Sequence, residues 1–235
     1  VSTIREVIEG VSDAINKSKP AAYQIKSALE NWNQILRQHP GKAVLNKLRL
    51  TPTFLDKLLT LIFKIILLFI FRAFWSLKIK GRSHLPPCGH YILCPNHASY
   101  LDGFVIFSSL PFKSSMNLFF LGYSVILEFP WVSWASKISR LVSIDPNVHL
   151  TQSLQAASFL LSQKKIVCIF PEGRRSIDES INEFKKGLGI LAKELAVPVV
   201  PVYIKGSHQS WPRTSRLPRL HPLKVNFGRP FLSGE

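Results

Sequence analysis

A chain of 235 residues, with 30 Lys and Arg against 14 Asp and Glu and a 46% hydrophobic content, has room for one folded domain plus an extension and carries a formal net charge of +16. Such a field calls for an anionic partner: nucleic acid, anionic lipid or a charged small substrate. Cys/His finger spacing, aromatic–basic repeats and a basic region leading into heptads are all missing from the sequence, which sets nucleic acid aside and leaves a membrane surface as the expected partner.

Residues 1–50 read as two helical stretches, Val1–Ile15 and about 21–38, the second ended by His39-Pro40-Gly41. They carry no recognisable chemistry and are expected to form a helical linker or extension with surface helices. The chain starts at Val1 without an initiator methionine, which suggests a piece of a longer protein. Thr51-Pro52-Thr53 then marks a helix start. Leu58–Phe71 follows, fourteen residues apolar except for Thr60 and Lys64; as a helix it is about 21 Å long, short of a hydrocarbon core of about 30 Å. On a helical wheel Lys57, Lys64 and Trp75 fall within about 20° of one another, with Thr60 and Arg72 within about 60°. Residues 51–75 are therefore expected to form a membrane-associated helix lying in one leaflet, its basic stripe turned toward lipid phosphates, with a spanning helix over 54–75 and an ordinary core helix as the alternatives.

From residue 76 to 235 strand and helix patterns alternate. Leu77-Lys78-Ile79-Lys80, His90–Cys94, Leu118–Leu121, Leu141–Ile144, Ile166–Phe170, Val199–Ile204 and Leu223–Phe227 read as strands, and residues 99–109, Leu150–Gln163 and Phe184–Ala196 as helices. The aromatic segment Phe129-Pro130-Trp131-Val132-Ser133-Trp134 falls between two strands and is expected to rest in lipid. This order predicts an α/β fold, a sheet with helices on its faces, and in such sheets ligands bind beyond the carboxyl ends of the strands. Cys88, Cys94 and Cys168 are odd in number with no CxxC spacing and read as reduced core thiols. The seven histidines show no HxH or HExxH spacing, so no metal is expected.

Two motifs stand at predicted strand ends. Asn96-His97-Ala98-Ser99-Tyr100-Leu101-Asp102 sets an imidazole and a carboxylate five residues apart. On a regular helix that spacing is about 140° of rotation, so the two meet only if His97 lies on the loop and Asp102 in the first helical turn. The carboxylate would then orient the ring as a base. Ser99 and Asp102 also match a helix capping box, which needs no catalysis, and both roles fit one carboxylate. The second motif, Phe170-Pro171-Glu172-Gly173-Arg174-Arg175-Ser176, places two guanidiniums on a turn suited to phosphate, although a solvated charged loop has the same composition.

These residues carry a family resemblance. NHASYLD resembles the NHxSxxD block, and FPEGRRS the FPEGTRS block, of the lysophosphatidic acid/glycerol-phosphate acyltransferase family; Val197-Pro198-Val199-Val200-Pro201-Val202 is similar to its later hydrophobic-proline block. The resemblance implies a mixed, largely parallel sheet flanked by helices, and transfer of a fatty acyl group from a thioester to the hydroxyl of a lysophospholipid such as 1-acylglycerol-3-phosphate. It makes His97 the general base and Asp102 its partner, and Asn96, Ser99, Glu172, Gly173, Arg174, Arg175 and Pro201 acceptor-binding residues. No cofactor is implied beyond acyl-CoA or acyl-ACP as co-substrate. The implied partners are a phospholipid membrane, the lysophospholipid and the acyl carrier, and the implied location is the cytoplasmic face of the cell membrane, peripheral or monotopic.

Arg174 stands where the family more often has threonine, and Asp145 is followed by Pro146 where the family commonly has arginine. That second departure looks more like the acyltransferase half of the bifunctional 2-acylglycerophosphoethanolamine acyltransferase/acyl-ACP synthetase, with a fused or partner acyl ligase. A non-catalytic lipid-binding module of the same fold is the alternative from a different class.

Overall fold

The computed structural model describes residues 3–17, 32–45, 48, 50–87, 89–122, 141–143 and 150–233. In chain order the principal elements are α1 (Ile4–Lys17), α2 (Phe54–Trp75), β1 (Lys78–Lys80), β2 (Tyr91–Pro95), α3 (Asp102–Ser109), β3 (Leu118–Gly122), β4 (Leu141–Ser143), α4 (Leu150–Ser162), β5 (Ile166–Ile169), α5 (Lys186–Leu195), β6 (Val199–Lys205) and β7 (Lys224–Phe227). Short helical turns at Lys42–Leu45, Arg82–His84, Phe112–Ser115 and Ser207–Ser210 join them.

The seven strands among the described residues form one sheet in the order β1-β7-β6-β2-β5-β3-β4. β6, β2, β5, β3 and β4 run parallel, β7 is antiparallel to β6, and β1 is parallel to β7. The sheet is thus mixed and largely parallel, flanked by helices, as expected. β2 is buried at all five positions, a continuous apolar run of the kind that both faces of a covered parallel sheet require.

Alternation along the strands sorts side chains into two cores. Ile92, Cys94, Val167, Val199 and Tyr203 face α1, α4 and α5. Tyr91, Leu93, Cys168, Val200, Val202 and Ile204 face the opposite layer, with Phe71 of α2 and Val105 and Ile106 of α3. Burial pushes the Cys94 and Cys168 thiols well up, so both stay protonated in these cores.

Two expectations need correction. α1 is no surface helix: Val7 and Val11 are fully buried, and a side chain added at Gly189 of α5 would meet the Ala14 carbonyl at 2.3 Å. Glycine at that crossing lets the two helices approach, so α1 completes one layer of the domain. Residues 32–37 are helical too, with Leu36 buried and its carbonyl accepting from Ser158 Oγ at 2.7 Å.

The middle of the polar stripe of α2 also faces the protein rather than lipid, while Lys57 and Arg72 stay exposed. Thr60 and Lys64 are buried, and Lys64 Nζ donates to the Phe107 and Ser108 carbonyls at 2.9 and 3.0 Å. Those carbonyls belong to the last turn of α3, where intrahelical partners run out and a cation is favoured. Arg82 Nε caps the same end through Ser109 O at 2.6 Å. Besides Lys57 and Arg72, α2 exposes its apolar side, with Phe54, Leu55, Leu58, Ile62, Ile65, Ile66, Phe69 and Phe74. Its first turn is set by a capping box between Thr53 and Asp56. Among the described residues no helix is long and apolar enough to cross a membrane. The segment 129–134, Cys88 and Asp145-Pro146 lie outside the described residues.

Candidate active site

β2 and β5 are parallel neighbours, with Leu93 in register with Cys168, so the loops that follow them emerge side by side. The first holds His97 and the second Glu172 to Arg175. Asn96 fastens the first loop to β6: its Nδ2 donates to Ile204 O at 3.2 Å and its Oδ1 accepts from Ile204 N at 2.7 Å.

His97 therefore stays outside the helix, which starts at Asp102 rather than at Ser99. Asp102 Oδ2 lies 2.9 Å from His97 Nδ1 and also accepts the Ala98 and Ser99 N–H groups at 2.7 and 2.8 Å. Orienting the ring and capping the turn are done by one oxygen. The carboxylate is fully buried at a helix N-terminus, where negative charge is favoured. As an acceptor it selects the tautomer with hydrogen on Nδ1, which leaves the Nε2 lone pair outward. The imidazole is 22% exposed and stacks on Phe170 with centroids 4.0 Å apart and an interplanar angle of 26°. Carboxylate and aromatic ring together fix its plane.

The two loops are sewn together. Glu172 Oε1 accepts the His97 backbone N–H at 2.7 Å, and Ser176 N–H donates back to His97 O at 2.8 Å. The other Glu172 oxygen takes the Asn182 backbone and side-chain N–H groups at 2.9 and 2.8 Å. Burial pushes the Glu172 carboxyl upward, and these donors pull against that shift. Gly173 closes the turn by donating to Phe170 O at 3.1 Å with φ of +69°, a left-handed conformation that suits glycine.

A cavity of about 440 Å³ opens beside His97. Leu121, Leu150, Leu154, Ile169 and Leu188 give it an apolar wall, while Arg174, Arg175, Lys185, Lys186 and Arg213 give it cations, and among the described residues no acidic residue lines it. The Arg175 guanidinium lies 3.5 Å above the Tyr100 ring, and its buried Nη1 has no hydrogen-bond partner among the described residues. An oriented base, an unpaired guanidinium and an apolar wall can take an alcohol with an anionic group on one side and a hydrocarbon chain on the other.

The acyltransferase family model matches residues 76–205, more than half of the chain. The chain belongs to this acyltransferase family. It is 28% identical over 154 residues to a 1-acyl-sn-glycerol-3-phosphate acyltransferase of Limnanthes douglasii, covering 64% of this chain and 53% of that protein. It is 32% identical over 156 residues to one of Chlamydomonas reinhardtii, covering 65% and 45%. The chain thus spans about half the length of the curated relatives it matches. Its fold is similar to the crystal structure of the 1-acyl-sn-glycerophosphate (LPA) acyltransferase PlsC from Thermotoga maritima, with a TM-score of 0.59 and 21% identity over 75% of this chain and 70% of that one.

Of the residues singled out in the sequence, His97, Gly173, Arg174 and Arg175 line the cavity. Asp102 and Glu172 lie behind it, engaged with His97, and Asn96 with β6. Ser99 Oγ donates to Trp211 O at 2.8 Å and accepts from Leu101 N–H. Pro201 lies inside β6, in register with Cys94 and away from the cavity lining. Phe170, Tyr100, Lys185 and Lys186 were not anticipated as site residues. The pair Lys185-Lys186 at the start of a predicted helix was a usable signal.

Proposed function

We propose that this chain is a membrane-associated acyltransferase that moves a fatty acyl group from acyl-CoA or acyl-ACP to the hydroxyl of a lysophospholipid such as 1-acylglycerol-3-phosphate. The observation that carries the reading is the buried Asp102 carboxylate on His97 Nδ1, with the opposite ring nitrogen open to a cavity lined by cations. His97 Nε2 takes the proton of the acceptor hydroxyl as that oxygen attacks the thioester carbonyl carbon; the C–S bond breaks, and the proton passes to the departing thiolate. Asp102 holds the ring and supports the imidazolium formed between the two steps. Arg175, positioned by Tyr100, and Arg174 hold the acceptor's phosphate. The apolar wall takes an acyl chain.

The exposed apolar side of α2 supports residence at a membrane surface, with α2 lying in one leaflet. The likeness to the 1-acyl-sn-glycerol-3-phosphate acyltransferases of Limnanthes and Chlamydomonas favours the phosphomonoester acceptor. The test is product analysis with acyl-CoA or acyl-ACP and, in parallel, 1-acylglycerol-3-phosphate or 2-acylglycerophosphoethanolamine. Acceptor-dependent thiol release with formation of the diacyl lipid is expected, greater with the phosphomonoester. Thiol release without any diacyl product would refute the reading.

A further inference from the structure

Between β6 and β7, residues 211–222 form a loop with an unusual surface. Arg216-Leu217-Pro218-Arg219-Leu220 alternates cations with leucines, and Leu217 and Leu220 are 74% and 67% exposed. No acidic residue occurs from 195 to 234, and no ion pair involves Arg216 or Arg219 among the described residues.

The leucines are held outward by a fixed backbone. Arg219 N–H donates to Ser210 O at 2.6 Å, and Arg219 O accepts from Trp75 Nε1 at 2.9 Å. Ser215 Oγ donates to Leu217 O at 2.8 Å, Trp211 Nε1 to Ser215 O at 3.1 Å, and Leu223 N–H to Trp75 O at 2.9 Å. Prolines at 212, 218 and 222 restrict the chain further. A loop ordered this way around two solvent-facing leucines and two unpaired guanidiniums has the chemistry of an interface between anionic headgroups and acyl chains.

We propose that this loop is a second membrane-contacting element, in which Arg216 and Arg219 take anionic phospholipid headgroups while Leu217 and Leu220 enter the bilayer interface. Its occupant is an anionic bilayer. Trp75 ties it to the end of α2, so the helix and the loop meet lipid as one rigid unit. Trp211 ties it to the candidate site: its carbonyl accepts from Ser99, its ring packs on Tyr100 at 5.2 Å, and Arg213 of the same loop lines the cavity. Lipid at the loop therefore lies beside the way to His97. The proposal goes beyond the acyl-transfer reading, and its test does not require turnover.

The test is co-sedimentation of the full chain with vesicles of phosphatidylcholine alone or mixed with phosphatidylglycerol. The wild type is expected to bind the mixed vesicles more tightly. Leu217→Ser with Leu220→Ser is expected to weaken binding to both by about tenfold or more, and Arg216→Gln with Arg219→Gln to weaken only the phosphatidylglycerol-dependent part. Circular dichroism establishes that the variants are folded, and a Phe69→Ser variant in α2 shows that the assay senses lost lipid contact. Wild-type vesicle binding by both double variants overturns the proposal. So does the absence of any vesicle binding, or a concentration-dependent dimer that the leucine variant breaks while vesicle binding persists.

Discussion

Glu172 reaches from the β5 loop to the β2 loop and accepts the backbone N–H of His97 at 2.7 Å, while its second oxygen is filled by Asn182. The carboxylate acts on the imidazole through the main chain. Three donors converge on it at 2% exposure, and a glutamine offers one acceptor atom and one donor in the same space. Glu172→Gln is expected to lower stability by about 1–3 kcal/mol in denaturant unfolding and to lower kcat with little change in acceptor KM. A rise in KM alone would mean that Glu172 touches substrate instead.

Asp102 gathers three hydrogen bonds on one buried oxygen, one of them from the His97 ring. An asparagine that turns its amide NH2 to this point presents a donor to Nδ1, reversing the tautomer, and loses the Ala98 and Ser99 contacts; one that keeps its oxygen there lacks the negative charge that supports the imidazolium. Asp102→Asn is expected to reduce turnover by about 10²–10⁴-fold while far-UV circular dichroism stays unchanged. A variant that keeps wild-type kcat would detach the carboxylate from the chemistry.

Arg175 is laid over Tyr100 at 3.5 Å with an unpaired buried Nη1. Charged hydrogen bonds to an anion contribute about 1.5–3 kcal/mol, so Arg175→Ala is expected to raise the acceptor KM about ten- to hundredfold and leave the acyl-donor KM unchanged. Arg175→Lys is expected to recover part of the loss, because the charge returns without the planar fork. An effect confined to the acyl donor would reassign the turn.

Lys64 is buried between α2 and α3, and burial, with Arg82 nearby, brings its ammonium down from 10.5 to about 7. Between these values the unfolded chain holds more protons than the folded one, so folding stability rises with pH from about 7 toward 10.5, and this contribution is flat below 7. In Lys64→Met that part of the slope is expected to vanish, and the Phe107 and Ser108 carbonyls lose their donor. Denaturant midpoints of both proteins across this range measure the difference; parallel profiles would contradict the lysine's assigned titration.

The site was legible where chemistry and spacing coincide. His97 and Asp102 read as a pair because only a loop-to-helix junction brings residues at that spacing together, and the apolar run Tyr91–Cys94 announced the strand before it. The sheet followed from continuous apolar runs separated by helical periods. The orientation of α2 was not legible: its wheel shows a polar stripe, but a stripe does not say whether it meets lipid phosphates or the carbonyls at the end of α3, which depends on a tertiary neighbour. α1 was misread for the same reason, since its partner Gly189 lies more than 170 residues away. Phe170 and Tyr100 looked like strand-end and loop aromatics, and only the folded chain stacks one on His97 and the other under Arg175.

The central claim is that His97 moves the proton. Thiol release from acyl-CoA in the presence of 1-acylglycerol-3-phosphate, measured for the wild type and His97→Ala at matched folding, tests it most directly. A loss of about 10²–10⁴-fold with an unchanged circular dichroism spectrum is the expected result. Release by the folded variant at a rate comparable to the wild type would contradict the account.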